Sequence, residues 1–381
     1  MLTTLVFRLR TLAKLCSKQS HGFQADGAYE SRTRGNKLCS QLRYSECSAE
    51  QAEPLIEAAI VELCSKNNTS FPEKMLIADL GCSSGPNALA LVSIAVEAIH
   101  SHCLQLQQPP PEVCVLLNDL PDNDFNTVVK NLVVLHQSNK PAVVTVGITP
   151  GSFYERLFTS GSMHLLCSSN SLNWLSKVPE DLMRNWIPAY DVDEHARSER
   201  LPMVLEAYAQ QFRKDYTLFL ELRAKELVSG GRMVVSLAGR RSDGRASKFS
   251  HVWEIFAQIL SVMASEGVID KVKYDSFYVP VYGPSDEELR KIIQAEGSFS
   301  ITEMRVHDFS RGQDNALITT SWYTNQMRAA FEPIVVHHFG DVMDEFVRTV
   351  ERRWSVEGSL QDEVGRYPRA QLVASLTKKA C

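Results

Sequence analysis

The sequence predicts an α/β fold in which a mostly parallel sheet is covered by helices on both faces. Short runs that are apolar at every position alternate along the chain with longer segments whose apolar residues recur at helical spacing. Continuously apolar strands are typical of parallel strands buried on both sides, and their alternation with helices is typical of the α/β class. A glycine-containing turn follows the first apolar run, at residues 79–87.

The amino-acid composition is that of a globular protein and argues against several other classes. Of the 381 residues, 44% are hydrophobic and 22% are charged, which is ordinary for a globular chain. The net charge of −5 argues against a nucleic-acid partner held by phosphate contacts. No apolar run reaches the roughly 18 residues of a membrane span. The 9 cysteines include no C-x-x-C pair, so neither a disulfide framework nor a zinc site is expected, and the chain is typical of a cytoplasmic protein.

The start of the chain differs from the rest. Residues 1–47 are expected to be an atypical leader, either disordered or transit-like, and residues 48–381 to form the functional domain. The leader carries basic residues before its first acid, Asp26, and these are Arg8, Arg10, Lys14 and Lys18. Such a composition is typical of an organelle transit peptide, which makes the plastid the alternative location if residues 1–37 are one.

The predicted elements follow in chain order. Five apolar runs are predicted as strands, at residues 75–78, 113–117, 142–146, 163–166 and 233–237. Helices are predicted at residues 52–64, 86–102 and 204–227, with further helices within 275–300 and 322–360. We expect the polar stretch 180–200 and the later helices to form a cap over the carboxyl ends of the strands, where open α/β sheets bind ligands. Ordinary surface elaboration is the alternative.

The turn after the first predicted strand is the first candidate binding element. Gly81 and Gly85 lack a Cβ, so the backbone can approach a ligand closely. The turn is not the three-glycine dinucleotide fingerprint, and Asp79 immediately before it would repel a pyrophosphate. A sulfonium or ammonium cation suits this acid, which favours S-adenosylmethionine over the nicotinamide cofactor of a dehydrogenase.

Two later strand ends supply the other candidate cofactor residues. Asp119 ends the second strand, where a carboxylate can accept both ribose hydroxyls of a nucleoside, although a solvated turn acid is the alternative. Leu120 would then lie against the adenine. Ser152 and Phe153 follow the third strand, where a hydroxyl and a ring could flank the same base.

Four long motifs and two shorter ones resemble the plant SABATH methyltransferases. The long motifs are residues 77–87 (IADLGCSSGPN), 117–126 (LNDLPDNDFN), 150–154 (PGSFY) and 171–176 (SLNWLS). The shorter ones are residues 230–234 (GGRMV) and Glu332-Pro333 near residues 338–340 (HFG). The resemblance extends from about Pro54 to near the carboxyl terminus.

The resemblance implies both architecture and activity. It implies an α/β fold with a Rossmann-like class I methyltransferase core, a helical cap formed mainly by about 180–225 and 275–365, and a homodimer. It implies methyl transfer from S-adenosylmethionine to the carboxylate of a small plant acid of the benzoate, salicylate, anthranilate, jasmonate or indole-acetate class. N-methyl transfer, as in the caffeine-pathway relatives, is an alternative. No catalytic base is expected, because a carboxylate is already ionised near pH 7.

The resemblance also implies roles for individual residues. Cofactor contacts are expected at Asp79, Cys82, Asn87, Asp119, Leu120, Ser152, Phe153 and Ser168. Substrate contacts are expected at Trp174, Asn170, Asn173, Gln41, Trp253 and Met327, with Ala330 as a further pocket-lining match. The indole N–H of Trp174 would donate to the substrate carboxylate, since a bound anion requires donors. Without the family match, Trp174 would be interpreted as a core aromatic, and Trp253, Met327 and Ala330 as helix core.

The chain departs from the family in three places, one of which is the substrate wall, where Asn170 replaces the usual tyrosine and Asn173 the usual methionine or histidine. Family members begin with a glycine-rich segment that closes over the cofactor, whereas residues 20–50 match it only loosely, with Gln41 as its terminal glutamine. The alternative is therefore a catalytically impaired member that binds cofactor or pairs with an active relative. Some members also bind Mg²⁺, and Asn185, Asp275 and Phe277 match that site. Tyr278 replaces the last oxygen ligand, which weakens a hard-cation site.

Overall fold

The structure, a computed structural model, describes residues 49–64, 72–85, 88–136, 144–191, 193–242, 251–308, 319–357 and 370–380. The described strands are β1 (Lys74–Leu80), β2 (Glu112–Asp119), β3 (Val144–Pro150), β4 (Met163–Ser169), β5 (Leu227–Gly239), β6 (Phe299–Asp308) and β7 (Ala370–Lys378). The described helices are α1 (49–64), α2 (Ala90–Gln105), α3 (Phe125–His136), α4 (Glu180–Arg184), α5 (Glu194–Glu226), α6 (His251–Ser265), α7 (Lys271–Asp275), α8 (Asp286–Glu296), α9 (Thr320–Phe339) and α10 (Met343–Glu357).

The strands form one sheet of seven, in the order β3-β2-β1-β4-β5-β7-β6. Strands β1 to β5 pair in parallel, while β7 pairs antiparallel with both β5 and β6. The chain moves outward from β1 to β3 on one side and from β4 to β6 on the other, and β7 then inserts between β5 and β6. The strand order therefore reverses between β1 and β4, and such a reversal opens a crevice at the carboxyl ends of the strands.

Buried side chains pack on both faces of the sheet. Along β1, Ile77 belongs to the apolar cluster beneath α1 and α2, whereas its neighbour Ala78 belongs to the opposite cluster, as the two-residue repeat of a strand requires. In α1 the buried residues recur at helical spacing, and these are Ala49, Ala52, Leu55, Ile56, Ala59, Ile60 and Cys64. The parallel part of the sheet is therefore covered on both faces, as the sequence predicts.

Helix α5 is longer than its predicted range of 204–227. It begins at Glu194 because the side chain of Asp193 caps its first turn, accepting a hydrogen bond from Ala196 N at 2.8 Å. The helix also continues through Pro202, which lacks a backbone N–H and is an unusual residue within a helix. The polar stretch thus supplies the first turns of a 33-residue helix.

Helices of the second half of the chain cover the carboxyl ends of the strands, although residues 299–308 of the expected cap range 275–365 form β6 of the sheet. Helix α9 reaches the carboxyl end of β4, where Phe331 lies 6.0 Å from Trp174, centroid to centroid. Helix α10 packs on α9 and on α6, and α7 packs on α6. Leu175 N donates to Pro280 O at 2.8 Å, so the segment before α8 also covers this end of the sheet. Among the described residues, no helix has the length and apolar content needed to cross a membrane.

Candidate active site

The carboxyl ends of β1, β2 and β4 lie side by side at the strand-order reversal. Asp79 is paired in register with Leu117 of β2 and with Cys167 of β4. The turn after β1 thus lies between the turns that follow β2 and β4. This arrangement brings the first predicted cofactor motif next to the second.

The turn after β1 requires glycine at its first position. Gly81 adopts a φ of +78°, in the left-handed region that side chains with a Cβ rarely occupy. A Cβ at this position would lie 2.2 Å from Ser171 Oγ. The Ser171 hydroxyl donates to Gly81 O at 2.8 Å, so the turns after β1 and β4 are joined directly. The glycine in the sequence motif is therefore explained by this close approach.

Asp79 is buried beside this turn with an unsatisfied carboxyl. Its side chain is 4% exposed, and its Oδ1 atom has no hydrogen-bond partner among the described residues. Burial, reinforced by the nearby charge of Asp119, raises the pKa of Asp79 to about 8. An unpartnered buried carboxyl is costly, and a cationic ligand or a hydrogen-bond donor would relieve that cost.

Asp119 connects the turn after β1 to the end of β2. Its Oδ2 accepts a hydrogen bond from Ser83 N at 2.6 Å, and its Oδ1 accepts one from Leu120 N at 2.8 Å. Burial raises the pKa of Asp119, although these two hydrogen bonds lower it in part. Each carboxylate oxygen retains acceptor capacity for a ligand hydroxyl. Leu120 beside it is 49% exposed, which leaves an apolar surface at the edge of the crevice.

Asn118 is a site residue that the sequence analysis missed. It is fully buried, and its Nδ2 donates to Thr149 O at 2.8 Å and to Gly151 O at 2.9 Å. Its backbone carbonyl accepts from Gly81 N and Cys82 N, both at 2.9 Å. Asn118 therefore fixes the ends of β1 and β3 relative to β2. A polar amide at the end of an otherwise apolar strand is the signal that could have identified it.

Ser152 and Phe153 lie in the turn after β3. Ser152 Oγ accepts from Tyr154 N at 3.1 Å. The Phe153 ring packs edge-on against Tyr154 at 4.8 Å, and its Cε1 atom lies 3.7 Å from the position that a Cβ on Gly81 would take. The structure thus brings the third strand-end motif to the same crevice as the first two.

The polar side chains after β4 are occupied by contacts within the protein. Ser168 is buried and donates to Leu80 O at 2.9 Å. Asn173 is 5% exposed, and its Nδ2 donates to Ala238 O at 2.7 Å and Tyr282 O at 2.9 Å, while its Oδ1 accepts from Ala238 N at 3.0 Å. Asn170 Oδ1 accepts from Gln371 Nε2 at 2.9 Å. Both donors of the Asn173 amide are therefore committed to the backbone.

Trp174 lies at the junction of the sheet and the cap. Its carbonyl accepts the Tyr154 hydroxyl at 2.7 Å, and its ring lies near Phe331 of α9. The indole N–H donates to no residue in the part of the chain that the structure describes. Met327, one helical turn before Phe331, is 8% exposed and belongs to the same apolar cluster. Ala330 is on the exposed side of α9, so Phe331 rather than Ala330 faces Trp174.

The residues matched to a Mg²⁺ site are engaged otherwise. Asn185 Nδ2 donates to Asp181 O at 2.8 Å, and Asp275 Oδ2 pairs with Lys271 Nζ at 2.6 Å. The Tyr278 hydroxyl lies 3.0 Å from Ile187 O and joins that segment instead of ligating a cation. Within the described ranges, no three His, Cys, Asp or Glu side chains form a group that could hold a metal ion. This arrangement does not fit a Mg²⁺ site.

The expected contacts of four further residues are not tested by the structure, because two of these residues and the side chain of a third lie outside the described part of the chain. Gln41 and the leader lie before residue 49, and Asn87 lies in the undescribed pair 86–87. Trp253 belongs to α6, but its side chain is not described. Cys82 is described and buried, with its Sγ 3.3 Å from Ser83 O. Their expected roles stay predictions.

Known proteins resemble this chain over nearly all of its length. A family model described as SAM-dependent carboxyl methyltransferase matches residues 39–379. A salicylate/benzoate carboxyl methyltransferase of Arabidopsis thaliana is 34% identical over 353 residues, which are 90% of each chain. An inactive anthranilate O-methyltransferase of Zea mays is 33% identical over 363 residues, which are 88% of this chain and 92% of that protein.

A solved structure resembles this one in its fold. A loganic acid methyltransferase with S-adenosylhomocysteine superposes with a TM-score of 0.75 at 28% identity, covering 90% of this chain and 96% of that chain. The sheet is therefore the Rossmann-like core of a class I methyltransferase with a helical cap over the carboxyl ends of its strands. With a family model that spans residues 39–379, the chain belongs to the SAM-dependent carboxyl methyltransferases.

Proposed function

We propose that this protein binds S-adenosylmethionine in the crevice between β1 and β4 and methylates the carboxylate of a small plant acid. The observation that carries this proposal is the buried carboxyl of Asp79, one oxygen of which has no partner among the described residues, at the point where three strand-end motifs meet. A cationic cofactor would satisfy this carboxyl. The residues present thus fit S-adenosylmethionine, which when bound supplies an electrophilic methyl group.

The strand ends divide the proposed cofactor contacts between them. We assign the ribose hydroxyls to Asp119, whose Oδ2 accepts from Ser83 N in the turn after β1 and whose Oδ1 accepts from Leu120 N at the end of β2. Leu120 and Phe153 would enclose the adenine, since one is an exposed apolar side chain and the other a ring beside Gly81. Cys82, Asn87, Ser152 and Ser168 complete the proposed set, although the described Ser168 hydroxyl donates to Leu80 O.

Trp174 is the proposed anchor of the acid. Its indole N–H, which donates to no described residue, can donate to one carboxylate oxygen, while Phe331 and Met327 supply an apolar wall beside it. An acid with an apolar body suits this wall, as in the benzoate, salicylate, anthranilate, jasmonate or indole-acetate class. Asn170, Trp253 and Gln41 stay proposed substrate contacts, whereas Asn173 has its amide donors bound to the backbone.

The protein would promote this reaction mainly by positioning the substrate carboxylate against the methyl group. A carboxylate is ionised near pH 7 and needs no base to act as a nucleophile. The protein's task is to hold that oxygen in line with the methyl carbon and to exclude water. His164 has a structural role, because its Nδ1 accepts a hydrogen bond from Leu76 N at 3.1 Å. Burial lowers the pKa of His164.

A substrate panel tests the proposed activity. The full chain is incubated with labelled S-adenosylmethionine and salicylate, benzoate, anthranilate, jasmonate or indole-acetate, and extracted esters are counted. We expect a labelled methyl ester with at least one acid. Binding of S-adenosylhomocysteine without any ester would instead favour the impaired-member alternative, which the inactive maize relative and the divergent residues 20–50 support.

The proposal extends to organisation and location. We propose that residues 48–381 form the catalytic domain behind a leader of residues 1–47, and that the protein forms a homodimer like other family members. We place it in the cytoplasm, with the plastid as the alternative supported by the acid-free start of the chain. Sequencing of the mature amino terminus and sedimentation of the full chain test these points.

A further inference from the structure

The turn after β3 is held by a buried ion pair at the end of α5. Arg223 and Glu226 both have fully buried side chains, and Arg223 Nε lies 2.7 Å from Glu226 Oε2. Arg223 Nη1 donates to Phe153 O at 2.8 Å, and its Nη2 donates to Glu155 O at 2.7 Å. The guanidinium therefore holds two carbonyls of the turn that carries Phe153.

Glu226 holds the next part of the same segment. Its Oε1 accepts hydrogen bonds from Leu157 N at 2.8 Å and from Phe158 N at 3.1 Å. The backbone carbonyl of Glu226 accepts from Ser162 N at 2.8 Å. The last turn of α5 is thus bonded to the loop between β3 and β4 at several successive positions.

Aromatic packing links the ion pair to the crevice. The Arg223 guanidinium lies 5.3 Å from the centroid of the Phe219 ring, and Phe219 lies 6.3 Å from Phe153 in an edge-on contact. Phe153 in turn borders the turn at Gly81. A shift of the loop at Arg223 would therefore move the Phe153 ring at the candidate cofactor site.

Stability alone does not explain a buried ion pair at this position. Desolvation of two charges is expensive, and well-packed apolar or neutral residues often give equal or higher stability. The pair instead orients the backbone, because the guanidinium and the carboxylate hold several backbone N–H and C=O groups in one geometry.

We propose that Arg223 and Glu226 are positioning residues that hold Ser152 and Phe153 in the geometry required for cofactor binding. This inference rests on the proposed function, which places the adenine at those two residues. Neither side chain of the pair needs to touch the cofactor. They act indirectly, by holding the backbone of residues 153–158 in place.

The double variant R223M/E226Q tests this role by removing both buried charges together. Arg156, whose Nε lies 3.4 Å from Glu226 Oε1, also loses its partner, but its side chain is 40% exposed. Met removes both donors to the carbonyls, while Gln retains an oxygen that can accept from Leu157 N and Phe158 N. Arg232→Met is the control, because Arg232 is also buried, at 2% exposed, but its guanidinium pairs with Glu62 and hydrogen bonds to Thr302 and Thr377 instead of to residues 153–158. Binding of S-adenosylhomocysteine is measured by calorimetry, and the unfolding temperature is recorded for every variant.

We expect R223M/E226Q to raise the Kd for S-adenosylhomocysteine at least tenfold and to raise the KM for S-adenosylmethionine more than that for the acid. Arg232→Met should change the Kd less than twofold even where it lowers the unfolding temperature as much. An unchanged Kd in R223M/E226Q, or an equal loss in Arg232→Met, would overturn the positioning role.

Two further variants keep the result interpretable. Phe153→Ala should weaken S-adenosylhomocysteine binding by itself, and if it does not, the proposed cofactor placement fails and this inference fails with it. If the double variant does not fold, Arg223→Lys keeps the charge without the two-pronged donor. We expect it to weaken binding at least threefold, and an unchanged Kd would contradict the proposal.

Discussion

Two side chains of the candidate site each have a polar atom that makes no hydrogen bond to the described residues. Asp79 has a carboxyl oxygen without a partner in the described structure, and Trp174 has an indole N–H without one. The carboxyl of Asp79 and the indole N–H of Trp174 attract ligands of opposite charge. The first suits a cation and the second suits an anion, which matches a sulfonium donor and a carboxylate acceptor.

Replacing Trp174 with Phe removes the donor but keeps an aromatic ring. Loss of a hydrogen bond to a charged group costs about 1.5–3 kcal/mol, so we expect the KM for the acid to rise roughly tenfold or more. Trp186→Phe is the control, because Trp186 is 79% exposed. Steady-state kinetics and S-adenosylhomocysteine titration measure both. A loss of cofactor affinity in Trp174→Phe, with the KM for the acid unchanged, would assign Trp174 to packing.

The raised pKa of Asp79 makes the stability of the ligand-free protein depend on pH. Between about pH 4, the range of an unfolded Asp, and a folded pKa of about 8, the folded state keeps a proton that the unfolded state has lost. The free energy of unfolding contributed by this group therefore falls as pH rises through that window.

Asp79→Asn removes this dependence. We expect the variant to unfold at a higher temperature than the parent at pH 8, with a smaller difference at pH 5, when both are scanned without ligand. Asp341→Asn, at an exposed carboxylate, should show no such pH-dependent gain. A gain for Asp79→Asn that is equal at both pH values would show that the Asp79 carboxyl does not titrate in this window.

At the scale of elements, the five parallel strands could be predicted because each is an apolar run followed by a turn. The two antiparallel strands could not be predicted in the same way. Strand β6 carries Thr302 and Glu303 at exposed positions, and β7 pairs with β5 and β6, which both lie far from it in the sequence. The pairings that make them strands link distant parts of the chain.

Asn173 connects the turn after β4 to β5 and to the segment before α8, and it was predicted as a substrate contact. Asn173→Ala would leave Ala238 and Tyr282 with unpaired backbone groups, which should lower the free energy of unfolding by about 2–4 kcal/mol. Asn325→Ala is the control, since its amide makes a 3.5 Å contact to Ser321 Oγ. Urea unfolding measures both variants. A stable Asn173→Ala protein with a raised KM for the acid would return the residue to the substrate site.

At the scale of the whole molecule, sequence motifs located the crevice but not the groups that hold it together. Asp119, Ser152 and Phe153 were predicted because they follow recognisable strands. Asn118 and the pair Arg223–Glu226 were not, because their partners are backbone atoms of distant segments that no local pattern specifies. Predictable residues thus face the crevice, and the missed ones fix its shape.

Calorimetric titration of S-adenosylhomocysteine into the parent and Asp119→Ala tests the location of the cofactor most directly. Loss of the charged acceptor for two hydroxyls should weaken binding about a hundredfold. Asp122→Ala, an exposed acid in the same turn, should bind as the parent does. Equal affinity in the parent and a folded Asp119→Ala protein would contradict the placement of the cofactor at the strand-order reversal.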